Sequence, residues 1–166
     1  MKIDIGKDTK ILVFTGPESS GKTTSAERIA MEYQLPLVKE YAREYLTKHG
    51  REYTLEDIRN IAKKQVELER QAYQENPLII CDTDIVILEI WALEKYRTSL
   101  GIKDELADKK HYLLCYPDIP WEPDSLRENP EDRMRLFERY THYLRDLNVT
   151  VTVLTESDRK ELEISF

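Results

Sequence analysis

Residues 16–23 read Gly-Pro-Glu-Ser-Ser-Gly-Lys-Thr, and this stretch decides the fold of the chain. It matches the pattern G-x-x-x-x-G-K-[S/T], in which a loop wraps closely around phosphate groups. An apolar run at 10–15 precedes it, as expected for a strand buried on both faces of a parallel sheet, and a helix-periodic segment at 21–33 follows. Backbone N–H groups of the loop and the helix N-terminus would then face an anion. The stretch therefore predicts a nucleoside triphosphate site between a strand and a helix.

The lysine and threonine that end this pattern have chemical roles. Lys22 supplies a point charge to the β- and γ-phosphates, and the Thr23 hydroxyl is a ligand for Mg²⁺. We therefore expect ATP and Mg²⁺ as cofactors; the alternative is a glycine-rich turn that only caps a helix. The predicted nucleotide-binding residues are Gly16, Glu18, Ser19, Ser20, Gly21, Lys22, Thr23 and Thr24.

Outward from the loop, strand-like and helical patterns alternate along the chain. Apolar runs predict further strands at 35–38, 78–81, 111–116 and 149–154. Periodicity and capping signals predict helices at 40–48, 54–76, 84–97 and 130–147, the last with Asn129 as N-cap and Pro130 as first residue. Such alternation predicts an α/β fold with a five-stranded, mostly parallel sheet that carries helices on both faces. We expect a single domain over residues 1–166, with a helical or loop lid at about 117–135.

Composition is that of an ordinary globular protein, with 40% hydrophobic and 34% charged residues among 166. The net charge of −7 argues against a general nucleic-acid binder, which would show a basic face. No apolar run approaches the roughly 20 residues of a membrane span, and no signal-peptide pattern opens the chain. Cys81 and Cys115 lie in apolar runs and predict buried free thiols. We therefore expect a cytoplasmic protein with a small-molecule substrate and no nucleic-acid or membrane partner; its oligomeric state stays open.

Two carboxylates follow the strand at 78–81 and are candidates for a metal site. Asp82 comes directly after the strand, at the carboxyl edge where ligands bind in such sheets. With Thr23 it is the predicted metal residue, and it is also counted among the catalytic residues; the alternative is a turn residue. Asp84 lies two residues further on and is either a substrate contact or simply the N-cap of the next helix.

Charged and aromatic residues follow the strand at 35–38 and predict an acceptor site at the same edge. Glu40 would accept a proton from an attacking hydroxyl or hold sugar hydroxyls, and Tyr41 would contact the substrate. The alternative for this segment is a solvated helix face with i, i+4 charge pairs.

A proline-bearing loop at 116–124, followed by arginines, predicts a mobile lid. Lid arginines cover the transferring phosphoryl group and exclude water, and the planar guanidinium binds phosphate bidentately. Arg127 and Arg133 are the predicted catalytic arginines, and Trp121 is a predicted substrate contact. The alternative for the arginines, above all Arg135, is ion pairing with Glu131, Asp132 and Glu138.

Segments 16–24, 40–45, 81–84 and 117–121 occur in an order that resembles the ribosylnicotinamide kinase domain of the NadR family. The resemblance implies a P-loop kinase fold and transfer of the ATP γ-phosphoryl group to the 5′-hydroxyl of nicotinamide riboside, a step of NAD salvage. Full-length members carry a nucleotidyltransferase domain before this one, and the resemblance transfers none of that activity. The family pattern leads us to expect glycine at position 125. The serine found there would stiffen the lid, because it has less backbone freedom than glycine.

The acceptor that the resemblance implies carries a positive pyridinium ring, which favours aromatic faces and carboxylates. Available side chains are Tyr41, Tyr45, Trp91 and Trp121, beside Glu40, Asp82 and Asp84. Two alternatives remain. One is another small-molecule or nucleotide kinase of this fold, and the other is a regulatory module that binds nucleotide without transferring phosphate.

Overall fold

The computed structural model describes residues 1–50, 52–127 and 130–165, and in these ranges the chain alternates strands and helices. The strands are Lys2–Asp4 (β1), Ile11–Thr15 (β2), Leu37–Val38 (β3), Ile79–Asp82 (β4), Lys110–Cys115 (β5), Thr150–Leu154 (β6) and Glu163–Ser165 (β7). The helices are Lys22–Glu32 (α1), Tyr41–His49 (α2), Leu55–Glu75 (α3), Ile85–Tyr96 (α4), Arg133–Asp146 (α5) and Glu156–Lys160 (α6), with one 3₁₀ turn at Ala107–Lys109.

The main sheet has five strands in the order β3-β4-β2-β5-β6, and every neighbouring pair is parallel. This confirms the predicted α/β fold with a five-stranded sheet. The central strand β2 is buried along its whole length, which explains its uninterrupted apolar sequence. Because all strands run the same way, their carboxyl ends meet at one edge, where β2, β4 and β5 end at Thr15, Asp82 and Cys115.

Alternate residues of β2 pack against helices on opposite faces of the sheet. Leu12 and Phe14 contact one cluster, which includes Ile29 of α1 and the apolar residues of β1 and β7. Ile11 and Val13 contact the other cluster, built from residues of α3, α4 and α5. A third cluster joins α2, α3 and α4 beside the sheet. Helices therefore cover both faces, as predicted.

A two-stranded parallel ribbon, β1 with β7, and the short helix α6 were not expected from the sequence. The ribbon joins the two ends of the chain: the Met1 ammonium donates to the Glu161 carbonyl at 2.8 Å. Strands of three residues are too short to show a two-residue period, so only the long-range pairing reveals them.

The predicted start of the last long helix is wrong by three residues. α5 begins at Arg133 with Asp132 as N-cap, so Pro130 lies before the helix, and Asn129 lies outside the described residues. The first helical hydrogen bond runs from the Leu136 amide to the Asp132 carbonyl. Asn, Pro and acidic residues favour a helix start locally, but here residues 130–132 keep an irregular path.

Other local signals are confirmed. Thr54 and Asp57 form a capping box at the start of α3, which is the capping signal behind the helix predicted at 54–76. Cys81 and Cys115 are buried and free, and burial raises the pKa of the Cys115 thiol to about 12. No helix in the described ranges has the length and apolar character needed to cross a bilayer.

Candidate active site

The phosphate loop has a backbone that requires its glycines. Gly16 has a φ of +132°, and a Cβ there would lie 2.8 Å from the Cys115 carbonyl oxygen of the adjacent strand. Gly21 is the N-cap of α1 with a φ of +79°, and Arg159 Nε would lie 3.2 Å from its Cβ. A side chain at either position would displace the backbone that has to approach the phosphates. The glycine pattern of the loop is thus explained by β5 on one side and Arg159 on the other.

Lys22 and Ser20 point back into their own loop. The Lys22 ammonium donates to the Pro17 carbonyl at 2.6 Å, and the Ser20 hydroxyl donates to the same oxygen at 2.8 Å. Lys22 is only 9% exposed, so its charge is held close to the loop rather than in solvent. These donors form a compact, positively charged cradle in which phosphate oxygens can replace the Pro17 carbonyl.

Asp82 ends β4 and is 4% exposed. Its Oδ1 is buried without a hydrogen-bond partner among the described residues. Burial raises the pKa of the Asp82 carboxyl, while the Thr23 hydroxyl and the Lys22 charge oppose this shift. A buried, unpartnered carboxylate oxygen near a threonine hydroxyl fits Mg²⁺, which needs only one or two protein carboxylates when phosphates complete its ligands.

A cavity of about 160 Å³ opens beside the phosphate loop. Lys22 and Thr23 lie at one end of it, and Glu40 and Arg43 lie at the start of α2. Trp91 of α4 and Tyr140 of α5 add aromatic faces. The apolar walls are Ala42, Leu46, Ile87, Ile90, Leu126 and Leu136. Such a mixture, mostly apolar with a few converging polar groups, is typical of a small-molecule site.

Glu40 lies between this cavity and a neighbouring open groove that also contains Asp82 and Tyr41. It is the N-cap residue of α2. Burial raises the pKa of the Glu40 carboxyl; the Lys22 charge opposes the shift, and Asp82 adds to it. A carboxyl with a raised pKa at the rim of a cavity is suited to exchange a proton with a bound hydroxyl.

The predicted lid brings both arginines towards the phosphate loop. Arg133 donates to the carbonyls of Ser19 at 3.0 Å and Ile119 at 2.9 Å. Arg127 lines the cavity and donates to the Glu122 carbonyl. Both guanidinium groups lie near the ring of Trp121, at 6.0 Å for Arg127 and 5.8 Å for Arg133. The arginines thus lie within reach of the loop while bonded to backbone carbonyls.

Further contacts tie the lid to its surroundings. Asp124 forms an ion pair at 3.0 Å with Arg43 of α2, a residue that lines the cavity. The Ser19 hydroxyl accepts a hydrogen bond from the Glu122 amide at 3.0 Å. At the other end, Asp118 is paired with Arg159 at 2.8 Å, so the first residues of the predicted lid are anchored to α6.

Several predicted residues are placed elsewhere. The position of Asp84 corrects the expectation that it contacts substrate, because it is fully buried and caps α4 through the Val86 amide. Trp121 packs on the lid arginines and Tyr41 borders the groove, so neither lines the cavity. Arg135 makes ion pairs with Glu94 and Asp132, in agreement with the surface alternative. Of the remaining loop residues, Glu18 and Ser19 line the cavity and Thr24 is exposed on α1.

Sequence reasoning missed Tyr140 and Arg159. Tyr140 belongs to the stripe Leu136, Tyr140 and Leu144, which has the spacing of an ordinary helix core. Arg159 is buried and donates to the carbonyls of Tyr116, just after β5, and Leu154, the last residue of β6. No local pattern marks either residue, because each acquires its neighbours only when distant segments pack together.

Comparison with known proteins places this geometry in context. The model of a family described as AAA domain matches residues 11–161. No curated protein matches the chain. Among solved structures, NadR protein in complex with NAD and AMP-PNP is similar, with a TM-score of 0.66, 21% identity and coverage of 88% of this chain and 44% of that chain.

Two further structures have the same architecture. NadR protein in complex with NR gives a TM-score of 0.63 at 21% identity, covering 88% of this chain and 45% of that one. Thymidylate kinase from Ehrlichia chaffeensis gives 0.52 at 18% identity, covering 89% and 87%. At these identities the likeness establishes the fold, which is P-loop kinase-like as predicted. The chain spans less than half the length of the NadR chains that it matches.

Proposed function

The chain belongs to the AAA domain family, and from that premise we propose that it is a kinase that transfers the γ-phosphoryl group of ATP to a hydroxyl of a small molecule. One observation carries this proposal. The same cavity is bordered by the phosphate loop at Lys22, by the carboxyl group of Glu40 and by the lid arginine Arg127. A donor cradle, an acceptor site and a charged cover therefore share one space, whereas a module that only binds nucleotide needs the cradle alone.

The residues of the chain have distinct tasks in the transfer. The backbone of the loop and Lys22 hold the β- and γ-phosphates, and Thr23 and Asp82 would hold Mg²⁺. When bound, Mg²⁺ neutralises part of the phosphate charge that develops during transfer. Arg127 and Arg133 donate to backbone carbonyls in the structure. When ATP is bound, they would donate to phosphate oxygens instead and so complete the site.

Among the carboxylates near the phosphate loop, Glu40 is the best placed to act as the base. It lines the cavity, whereas Asp82 borders only the groove and Asp84 is sealed in the core. The acceptor hydroxyl oxygen forms a bond to the γ-phosphorus, the bridging P–O bond to ADP breaks, and the hydroxyl proton passes to Glu40. The raised pKa of Glu40, caused by burial, makes it a better proton acceptor once it is ionised.

Nicotinamide riboside is the acceptor that we propose, which would place the chain in NAD salvage in the cytoplasm. Its cationic ring suits a cavity with the faces of Trp91 and Tyr140 and the carboxyl group of Glu40. Likeness in fold to a NadR protein in complex with NR supports this choice. Of the four aromatic residues considered from the sequence, Trp91 lines the cavity, whereas Tyr41, Tyr45 and Trp121 do not.

An acceptor panel tests the proposal. We expect nicotinamide riboside to have a kcat/KM at least about tenfold above uridine or adenosine, because two cation–aromatic or cation–carboxylate contacts are each worth about 0.5–2 kcal/mol. The measurement is ADP release at identical ATP and Mg²⁺ concentrations. A higher kcat/KM for uridine or adenosine would refute the acceptor and keep the kinase. Nucleotide binding without acceptor-stimulated ADP release would refute the kinase itself.

A lid variant separates binding from turnover. Arg127→Ala should lower kcat more than it raises the KM for the acceptor, because the guanidinium contacts the phosphoryl group fully only in the closed transition state. Steady-state kinetics with varied acceptor measure both terms. Arg145→Ala, which removes an exposed arginine near the end of α5, is the control. A change confined to acceptor KM would assign Arg127 to ground-state binding instead.

A further inference from the structure

A buried charged cluster lies outside the cavity, beneath the turn that follows Asp82. Lys110, the first residue of β5, has no exposed side-chain surface. Its ammonium lies 2.7 Å from carboxylate oxygens of Glu69, Asp84 and Asp104. Charges removed from water are costly unless they are closely paired, so this cluster needs an explanation beyond stability.

Asp84 divides its two oxygens between two tasks. Oδ1 accepts a hydrogen bond from the Val86 amide at 3.0 Å and so fixes the first turn of α4. Oδ2 accepts from the Lys110 ammonium and from the Tyr112 hydroxyl, both at 2.7 Å. Since Lys110 and Tyr112 belong to β5, Asp84 ties the turn between β4 and α4 to another strand of the sheet.

The residue between the two aspartates is held in an uncommon conformation. Thr83 has a φ of +66°, in the left-handed region that β-branched residues avoid, and it is buried. Its amide donates to the Phe14 carbonyl at 2.9 Å, which continues the pairing of β4 with β2. Such a conformation persists only when its surroundings hold it on both sides. Phe14 holds one side, and the anchored Asp84 holds the other.

We propose that Lys110 and Asp84 are positioning residues that hold the turn after β4 so that the carboxylate of Asp82 is presented to Mg²⁺. This rests on the metal role given to Asp82 in the proposed function. Within the described ranges Oδ1 of Asp82 has no hydrogen-bond partner, so its direction depends on the backbone of the turn and on the Thr23 hydroxyl bonded to the same carboxylate. Residues that orient a metal ligand typically affect metal affinity or activity about 10- to 100-fold when they are changed.

The chain offers a matched pair of variants. Asp84→Asn and Glu69→Gln each remove one carboxylate at 2.7 Å from Lys110, but only Asp84 is part of the turn after Asp82. Glu69 belongs to α3, which is not part of that turn. A general weakening of the cluster would affect both variants alike, whereas loss of positioning would affect Asp84→Asn alone. Tyr112→Phe removes only the hydroxyl contact to Asp84 and keeps the packing, so it remains informative if Asp84→Asn fails to fold.

The test measures metal binding without turnover. Isothermal titration with Mn²⁺, in the presence of a non-hydrolysable ATP analogue, gives metal affinity; titration of the analogue in EDTA gives nucleotide affinity. We expect Asp84→Asn to weaken Mn²⁺ binding at least about tenfold, Tyr112→Phe to weaken it less, and Glu69→Gln to leave it unchanged, with metal-free nucleotide affinity constant throughout. Equal effects of Asp84→Asn and Glu69→Gln, or unchanged Mn²⁺ affinity in both Asp84→Asn and Tyr112→Phe, would overturn the proposal. Failure of the kinase proposal would appear separately, as wild-type protein without acceptor-stimulated ADP release.

Discussion

Lys22→Ala is expected to lower phosphoryl transfer by about 100-fold or more while leaving the fold intact. The Lys22 ammonium is the positive side-chain charge of residues 16–23, and it can stay in contact with the γ-phosphoryl group as negative charge develops in the transition state. In the structure it is already held at the loop by the Pro17 carbonyl, 2.6 Å away, so little reorganisation is needed when ATP binds. The measurement is ADP release with nicotinamide riboside, ATP and Mg²⁺, together with a thermal unfolding curve.

Lys160→Ala provides the control for this variant. Lys160 is an exposed lysine on α6 whose contact is an ion pair with Glu156 one turn away. Its removal should leave turnover unchanged, because exposed helix pairs contribute little. Near-normal turnover in a folded Lys22→Ala protein would refute the kinase proposal, because the measured reaction would then not depend on the lysine of the phosphate loop.

Asp82→Asn is expected to lower turnover by about 100-fold at limiting Mg²⁺, and less at saturating Mg²⁺. The amide keeps the size of the side chain but lacks the negative charge that a cation requires. ATP affinity should survive in part, because backbone N–H groups hold the phosphates. A titration of ADP release against Mg²⁺ concentration measures the effect on metal use, and a separate ATP-binding measurement gives the effect on nucleotide affinity.

The control for Asp82→Asn is Asp108→Asn, at an exposed carboxylate far from the phosphate loop. It should show the wild-type dependence on Mg²⁺. Wild-type activity of Asp82→Asn at limiting Mg²⁺ would remove Asp82 from the metal site. Asp84 would not replace it, because both of its oxygens are already engaged in the core.

Much of the fold follows from patterns that are local in the chain. The strands β2, β4 and β5 are continuous apolar runs because the parallel sheet buries both their faces. The capping box of Thr54 and Asp57 marks the start of α3 within four residues. The start of α5 and the ribbon of β1 with β7 escape such reasoning, since each depends on segments that lie far away in the sequence.

The residues of the candidate site also fall into those that local sequence predicts and those that only the tertiary structure reveals. By itself, the sequence determined the phosphate loop and the carboxylate after β4, because glycine geometry, a lysine and a strand end are properties of short segments. Tertiary structure alone decided which other side chains enter the cavity. Trp91 and Tyr140 face it while Trp121 packs on the lid arginines, because the packing of α4 and α5 on the sheet sets those directions. It also turned Asp84 from a site residue into an anchor, by placing Lys110 and Tyr112 of a distant strand against it.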